Sequence, residues 1–276
     1  MTRFPLLRLA ALCAAFVLAA SAQPPNAPRK RRVLAIGEVK GFQHDSVSQA
    51  LATIYRMGKD TGAYDTYIRT DTQLITKKRL TGNAKNIDFF DAVVFYTTGE
   101  LPLDDEQKAA LMAFVKEDGK GFVGVHSAID TFYKWPEYGD MVGAYFDLHP
   151  WNTFKAPIVV EDRKFPATAH FPKAFELYDE IYQPSSLFSR EKVRVLARLD
   201  ENKIDLSNRN VRRTDKDFAV AWIKEHGKGR VFYSTFGHTP EAWDHPGVQK
   251  MYFEAIRWAL RVTNPDDVKP RPRPAE

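Results

Sequence analysis

Residues 121–130 read Gly-Phe-Val-Gly-Val-His-Ser-Ala-Ile-Asp, and few chain arrangements accommodate them. The apolar run 122–125 has the length and bounds of a buried strand. It delivers His126 to the point where the strand ends and a loop begins. In a parallel α/β sheet that edge, outside the carboxyl ends of the strands, is where ligands bind.

The flanking pattern predicts such a sheet. Residues 33–36 form an apolar strand after a basic lead-in, and 46–59 a helix with Asp45 or Ser46 as cap and Gly62 just beyond it. Strands follow at 64–69 and 92–96, then a helix over 104–117 with an acidic first turn. Buried strands alternating with helices of this length mean βαβ units. Residues 131–155 break the pattern with aromatics and glycines. They are too long for an ordinary connection and read as a functional lid or insertion. Later strands at 156–160, 193–199, 218–223 and 230–236 are spaced closely enough to be antiparallel additions. Gly227-Lys228-Gly229 is positioned as a hairpin turn between the last two. A helix over 247–262 closes the fold.

The ends are different in kind. Residues 1–22 carry Arg3 and Arg8, an apolar core and a small-residue site at Ala20-Ser21-Ala22, the pattern of a cleaved signal peptide. The apolar run is too short for a spanning helix, so no stable membrane insertion is expected after cleavage. The one cysteine, Cys13, leaves with it. The mature chain therefore has no disulfide, no thiolate metal ligand and no cysteine nucleophile. Losing Arg3 and Arg8 brings the excess of basic over acidic residues from five to three. Much of the remainder sits in the terminal segments rather than on a clustered face, which argues against nucleic acid as a partner. Residues 23–31 and the proline-rich 263–276 read as a disordered linker and tail around one domain, 32–262.

Five candidate clusters stand out. His126, with Ser127 and Asp130 a turn away, is either an acid/base group or metal ligand at the sheet edge, or a half-buried histidine tying the loop. His44 follows the first strand at a helix N-terminus, where backbone N–H groups favour anions or polar oxygens, or else it merely caps or points outward. His149 and Trp151 lie in the aromatic insertion with Tyr133, Trp135 and Tyr138. They either stack on a sugar ring or pack the insertion onto the sheet. His238 follows the last strand, with Glu241 near enough in sequence to orient it. Glu180, in Asp179-Glu180-Ile181-Tyr182, is a base if it faces the pocket and surface charge if it does not. His170, His226 and His245 read as surface or turn residues. Three histidines and a carboxylate would suit a divalent metal, but no compact ligand motif supports one by spacing.

Taken together, several motifs resemble the ThuA-like, or trehalose-utilisation, family. They are Gly-Phe-Gln-His-Asp-Ser (41–46), Gly-Phe-Val-Gly-Val-His-Ser-Ala (121–128), Trp-Pro-Glu-Tyr-Gly (135–139), Phe-Asp-Leu-His-Pro-Trp (146–151), Asp-Glu-Ile-Tyr (179–182) and the stretch 227–239. The resemblance implies a flavodoxin-like three-layer α/β fold, with a mostly parallel central sheet and an aromatic-rich insertion. It also implies kinship with the class I glutamine amidotransferases, whose cysteine sits on the turn that here carries His126-Ser127. With that nucleophile absent, glutamine hydrolysis is disfavoured; fold kinship alone does not transfer function.

The family's association with disaccharide catabolism implies a small-molecule carbohydrate substrate. The expectation is an exported, periplasmic or secreted enzyme, a hydrolase or lyase, acting on a glycoside or keto-glycoside. His126 and His238 are its candidate base and acid. His44 and Glu180 would orient substrate or water, and Ser127, His149, Trp151 and Tyr133 would contact the sugar. A non-catalytic carbohydrate-binding protein and a metal-assisted hydrolase are the alternatives. Expression of the full chain in a bacterium is expected to give periplasmic protein whose N-terminal sequence begins at Gln23; retention of Met1 would refute cleavage.

Overall fold

The computed structural model describes residues 29–82, 85–265 and 267–274. The expected signal peptide and most of the linker lie outside them. Strand β1 (Arg31–Ile36) leads into helix α1 (Val47–Thr61), β2 (Tyr64–Arg69), β3 (Ala92–Phe95), α2 (Asp105–Lys116) and β4 (Gly121–Val125). The insertion then contributes α3 (Pro136–Val142) and β5 (Phe146–Leu148). The second half holds β6 (Thr153–Val160), β7 (Ala174–Glu180), β8 (Gln183–Pro184), β9 (Arg194–Leu199), β10 (Ala219–His226) and β11 (Gly229–Ser234). Helices α4 (Pro240–Asp244) and α5 (Pro246–Ala259) follow.

Nine strands form one sheet in the order β2-β1-β3-β4-β11-β10-β9-β6-β7. The first five run parallel. The expected antiparallel additions extend them, starting with the β10–β11 hairpin, in which His226 pairs with Gly229. The fold is flavodoxin-like α/β. Alternation along β1 shows how both faces are covered: Val33 and Ala35 pack into the core beneath α1 and α5. Leu34 and Ile36 pack into the other, with α2 and the insertion.

Helix α2 is closed at its start by reciprocal hydrogen bonds between Asp104 and Gln107. Helix α1 differs from expectation. Ser46 stands at its N-cap without capping it; its hydroxyl is committed elsewhere, as described below. The insertion is not a free lid. Trp135 and Tyr138 are buried, and the Tyr138 hydroxyl donates to the Ala128 carbonyl at 2.7 Å.

Both terminal segments correct the sequence reading. Arg31, expected in a linker, is the first residue of β1, and Arg29 pairs with buried Asp91 at 2.8 Å. The described part of the tail lies on the body. Trp258 Nε1 donates to the Pro265 carbonyl, Arg194 to that of Asp267, and Val268 is buried. Proline-rich composition removes donors from the tail, but the body supplies them.

The most demanding feature is the curl of the sheet. Four strand spacings separate β11 from β7, about 19 Å across a flat sheet. Yet the amide of Gly237, three residues past β11, lies 2.7 Å from the Asp179 carboxylate on β7. The antiparallel half therefore bends round until its edge strand meets the carboxyl ends of the central strands. Strand β4 also packs tightly under α5: a Cβ on Gly121 would sit 2.7 Å from the Ala259 carbonyl oxygen. Gly121→Ala is expected to lower stability by about 1–3 kcal/mol through this overpacking, read as a lower midpoint in urea denaturation.

Candidate functional site

The curl brings together residues from four separate parts of the chain. His44 follows β1, His126 follows β4, His238 follows β11, and Glu180 ends β7. One ligand-capable atom from each lies within 4.8 Å of those of the other three. His126 adopts φ +42, a conformation uncommon for a non-glycine residue. This sharp turn aims its ring back across the sheet edge, and its Nδ1 lies 2.5 Å from the Thr235 carbonyl. A carbonyl only accepts, so Nδ1 carries the hydrogen and Nε2 presents a lone pair. That nitrogen lies 3.3 Å from His238 Nδ1 and 3.7 Å from Glu180 Oε2. His238 Nδ1 is in turn 3.2 Å from the same Glu180 oxygen. His44 Nε2 lies 3.2 Å from the Tyr182 hydroxyl, while its buried Nδ1 makes no hydrogen bond of ordinary geometry.

The loop that carries His238 is held from several sides. Asp179 accepts from the amides of Gly237 at 2.7 Å and Thr239 at 3.2 Å. Ser46 Oγ and Tyr96 OH, 2.6 Å apart, both reach the Gly237 carbonyl at 2.7 Å. Gly237 itself has φ +121 and lies against Trp243, so a side chain there would be strained and would clash.

Burial sets the electrostatics. It holds His44 down to about 4, helped by the nearby His238. It drives His126 well below the ordinary histidine value, with His44 and His238 adding to the effect. Burial works against a charge on His238 as well, but its hydrogen bond to Glu180 lifts it above the ordinary value. Asp179 is pushed up to about 7 by burial, against its backbone donors. Asp130 is raised by burial too, although the Tyr133 hydroxyl donates to it at 2.6 Å.

The floor is enclosed and the rim is open. His126 is completely buried and His44 nearly so, whereas His238 is partly exposed. Beside His44 and His238 opens a cavity of about 280 Å³, lined also by Phe42, Asp45, Tyr178 and Thr239. On the insertion side, His149 Nδ1 lies 3.4 Å from Glu180 Oε1 and 3.2 Å from Asn152 Oδ1. Tyr133 and Asp130 belong to that rim.

Some sequence candidates fall elsewhere. Trp151, expected to stack on a sugar, packs on Phe154 and Phe218, and its Nε1 donates to the Asp205 carbonyl. The insertion turns at 149–152 into β6 and drives this ring onto the core. Ser127 is fully buried, its hydroxyl without a hydrogen-bond partner among the described residues. Glu241 is exposed on α4, and Glu180 takes the orienting position beside His238 instead. His170 bonds the Gly247 carbonyl and His245 caps α5, both away from the cluster.

Phe42, Tyr178 and Tyr182 were missed. Phe42 is 64% exposed and stacks 6.3 Å from His238, so it is the aromatic face at the site mouth. Tyr178 went unnoticed with β7, although Phe175 and Leu177 alternate there with Glu176 and Tyr178 as a half-buried strand should.

The carboxyl edge of this flavodoxin-like sheet carries three histidines and a glutamate, and the sharp turn after β4 carries His126-Ser127. The chain belongs to the ThuA, trehalose utilisation, family, whose profile matches residues 32–259. It is similar in structure to a ThuA-like protein from Bacteroides uniformis, with a TM-score of 0.66 and 21% identity over 86% of this chain and 95% of that one. A ThuA-like protein from Parabacteroides merdae aligns with a TM-score of 0.66 and 15% identity, over 88% and 98% of the two chains. No curated protein matches the chain. Among the described residues, no helix is long and apolar enough to cross a membrane.

Asp179→Ala would leave the Gly237 and Thr239 amides without their acceptor and is expected to cost about 2–5 kcal/mol. Asp179→Asn, which keeps one acceptor, should cost less. Urea denaturation of the two variants checks the order.

Proposed function

We propose that this chain is an exported enzyme of carbohydrate catabolism that breaks a keto-glycoside by acid/base chemistry. The observation that carries the proposal is the convergence of His44, His126, His238 and Glu180 beneath a cleft rimmed by exposed aromatics. Phe42, Tyr133 and Tyr178 account for three of the exposed large apolar side chains among the described residues. Aromatic faces of this kind suit the C–H face of a sugar ring. Glu180 is engaged by three imidazoles and so is not free to serve as one of the two carboxylates an unactivated glycoside needs.

A ketone acidifies the adjacent C–H. A base takes that proton, the C–O bond to the leaving group breaks, and an acid protonates the departing oxygen. Access decides which groups can play these parts. His126 is enclosed, so it positions the floor rather than meeting the substrate. His149 is the better-placed base: its Nδ1 faces two oxygens, Glu180 Oε1 and Asn152 Oδ1, which leaves Nε2 as the free lone pair. Asp130, kept protonated more readily by burial, is the acid. On the floor, His238 is the partly exposed group that bears a hydrogen, and it receives the keto oxygen.

NMR of a 3-keto-disaccharide beside its unoxidised parent tests the reading. Loss of the keto form alone is expected. His149→Ala should slow it by about 10²–10⁴-fold, the usual worth of a positioned acid/base group, while binding persists. If both sugars bind unchanged and Phe42→Ala abolishes binding, the chain is a carbohydrate-binding protein instead.

A further inference from the structure

The cluster's innermost atoms are arranged in a way that acid/base chemistry does not require. His126 Nε2, His238 Nδ1 and Glu180 Oε2 form a triangle with sides of 3.3, 3.2 and 3.7 Å. Such a triangle has a point roughly 2 Å from all three corners, the length of a zinc–nitrogen or zinc–oxygen bond. Ligand atoms around a tetrahedral zinc ion are likewise about 3.4 Å apart. We infer that these three residues, with His44 as the fourth ligand, bind one divalent metal ion of the zinc class.

Three further observations point the same way. The Thr235 carbonyl fixes the His126 tautomer and aims its Nε2 lone pair into the triangle, the second-sphere arrangement of metal-bound histidines. Glu180 is almost enclosed, and no Lys or Arg nitrogen lies within ion-pair distance of it among the described residues. Without a cation, two converging acceptors, His126 Nε2 and Glu180 Oε2, share the single hydrogen on His238 Nδ1. His44 closes the fourth side, buried, its ring centroid 4.8 Å from that of His126 and 5.0 Å from that of His238. Imidazole and carboxylate without thiolate is a donor set for zinc and its first-row neighbours.

The inference rests on reading the cluster as the reaction centre, and it names what the floor would offer a keto oxygen: a Lewis acid that polarises it. The base His149 lies outside the ligand set, so the two roles do not compete.

The test uses the full chain, purified without a histidine tag. Elemental analysis is expected to show about one zinc-class ion per chain, removable by chelator dialysis. The stripped protein should take up one Zn²⁺, with a rise in Tm, and should give the visible bands of low-symmetry Co²⁺ when cobalt is added. His126→Ala and Glu180→Ala should lose metal by more than the roughly 10–100-fold that loss of an outer hydrogen-bond partner costs, whereas His170→Ala keeps it. If either ligand variant fails to fold, the Zn²⁺ and Co²⁺ titrations of the unaltered stripped chain decide. No bound metal, and no Zn²⁺ or Co²⁺ uptake by that chain, overturns the inference; keto-sugar turnover by the same metal-free protein would leave the acid/base reading standing. One tightly held metal without turnover of the keto-sugar supports the metal site and refutes the substrate assignment.

Discussion

The Asp179 carboxylate, accepting from the amides of Gly237 and Thr239, joins the edge of the sheet to its centre. Together with the Tyr182 amide, which donates to the Thr235 hydroxyl at 2.9 Å, it holds the end of β7, last in the strand order, beside the end of β11 rather than four strands away. The next residue along, Glu180, is then delivered to His126 and His238. The carboxylate that holds the loop and the one in the cluster are neighbours in sequence because a strand turns consecutive side chains to opposite faces. Asp179 faces the loop behind the site and Glu180 faces the cluster.

Burying this much polarity is costly, and the structure meets the cost by pairing. The Gly237 carbonyl receives Ser46, Tyr96 and the Trp243 indole. The Tyr233 hydroxyl donates to the His126 carbonyl at 2.7 Å, on the strained turn after β4. Strain of this kind persists only where the surroundings over-determine it, and here donors and packing constrain the turn from both sides. The sharp turn after β4 thereby directs an imidazole across the sheet edge.

The parallel half of the sheet was legible because its strands are short, apolar and separated by helices with recognisable ends. Residues 64–69 and the hairpin at 227–228 fall where the pattern put them. Three site histidines were legible for the same reason, since each follows such a strand. Their convergence was not, because it depends on strand order and on the curl. Neither leaves a local signal. Strand β7 was lost among charges at Glu176, Asp179 and Glu180, which lie on an edge strand where charge is ordinary. Trp151 misled because an aromatic residue looks the same in sequence whether it faces a ligand or a core. The tail misled because proline content reports on the segment alone, not on Arg194 and Trp258 waiting to receive it.

Positions 44, 126, 180 and 238 span most of the domain, and each arrives on a different strand end. No contiguous fragment shorter than almost two hundred residues contains all four. The cluster therefore reports on completion: a chain whose parallel half has formed but whose antiparallel half has not yet curled back holds two or three isolated histidines and no centre. The four groups meet only where the Asp179 carboxylate holds the Gly237 and Thr239 amides, so a molecule lacking that contact lacks the assembled cluster.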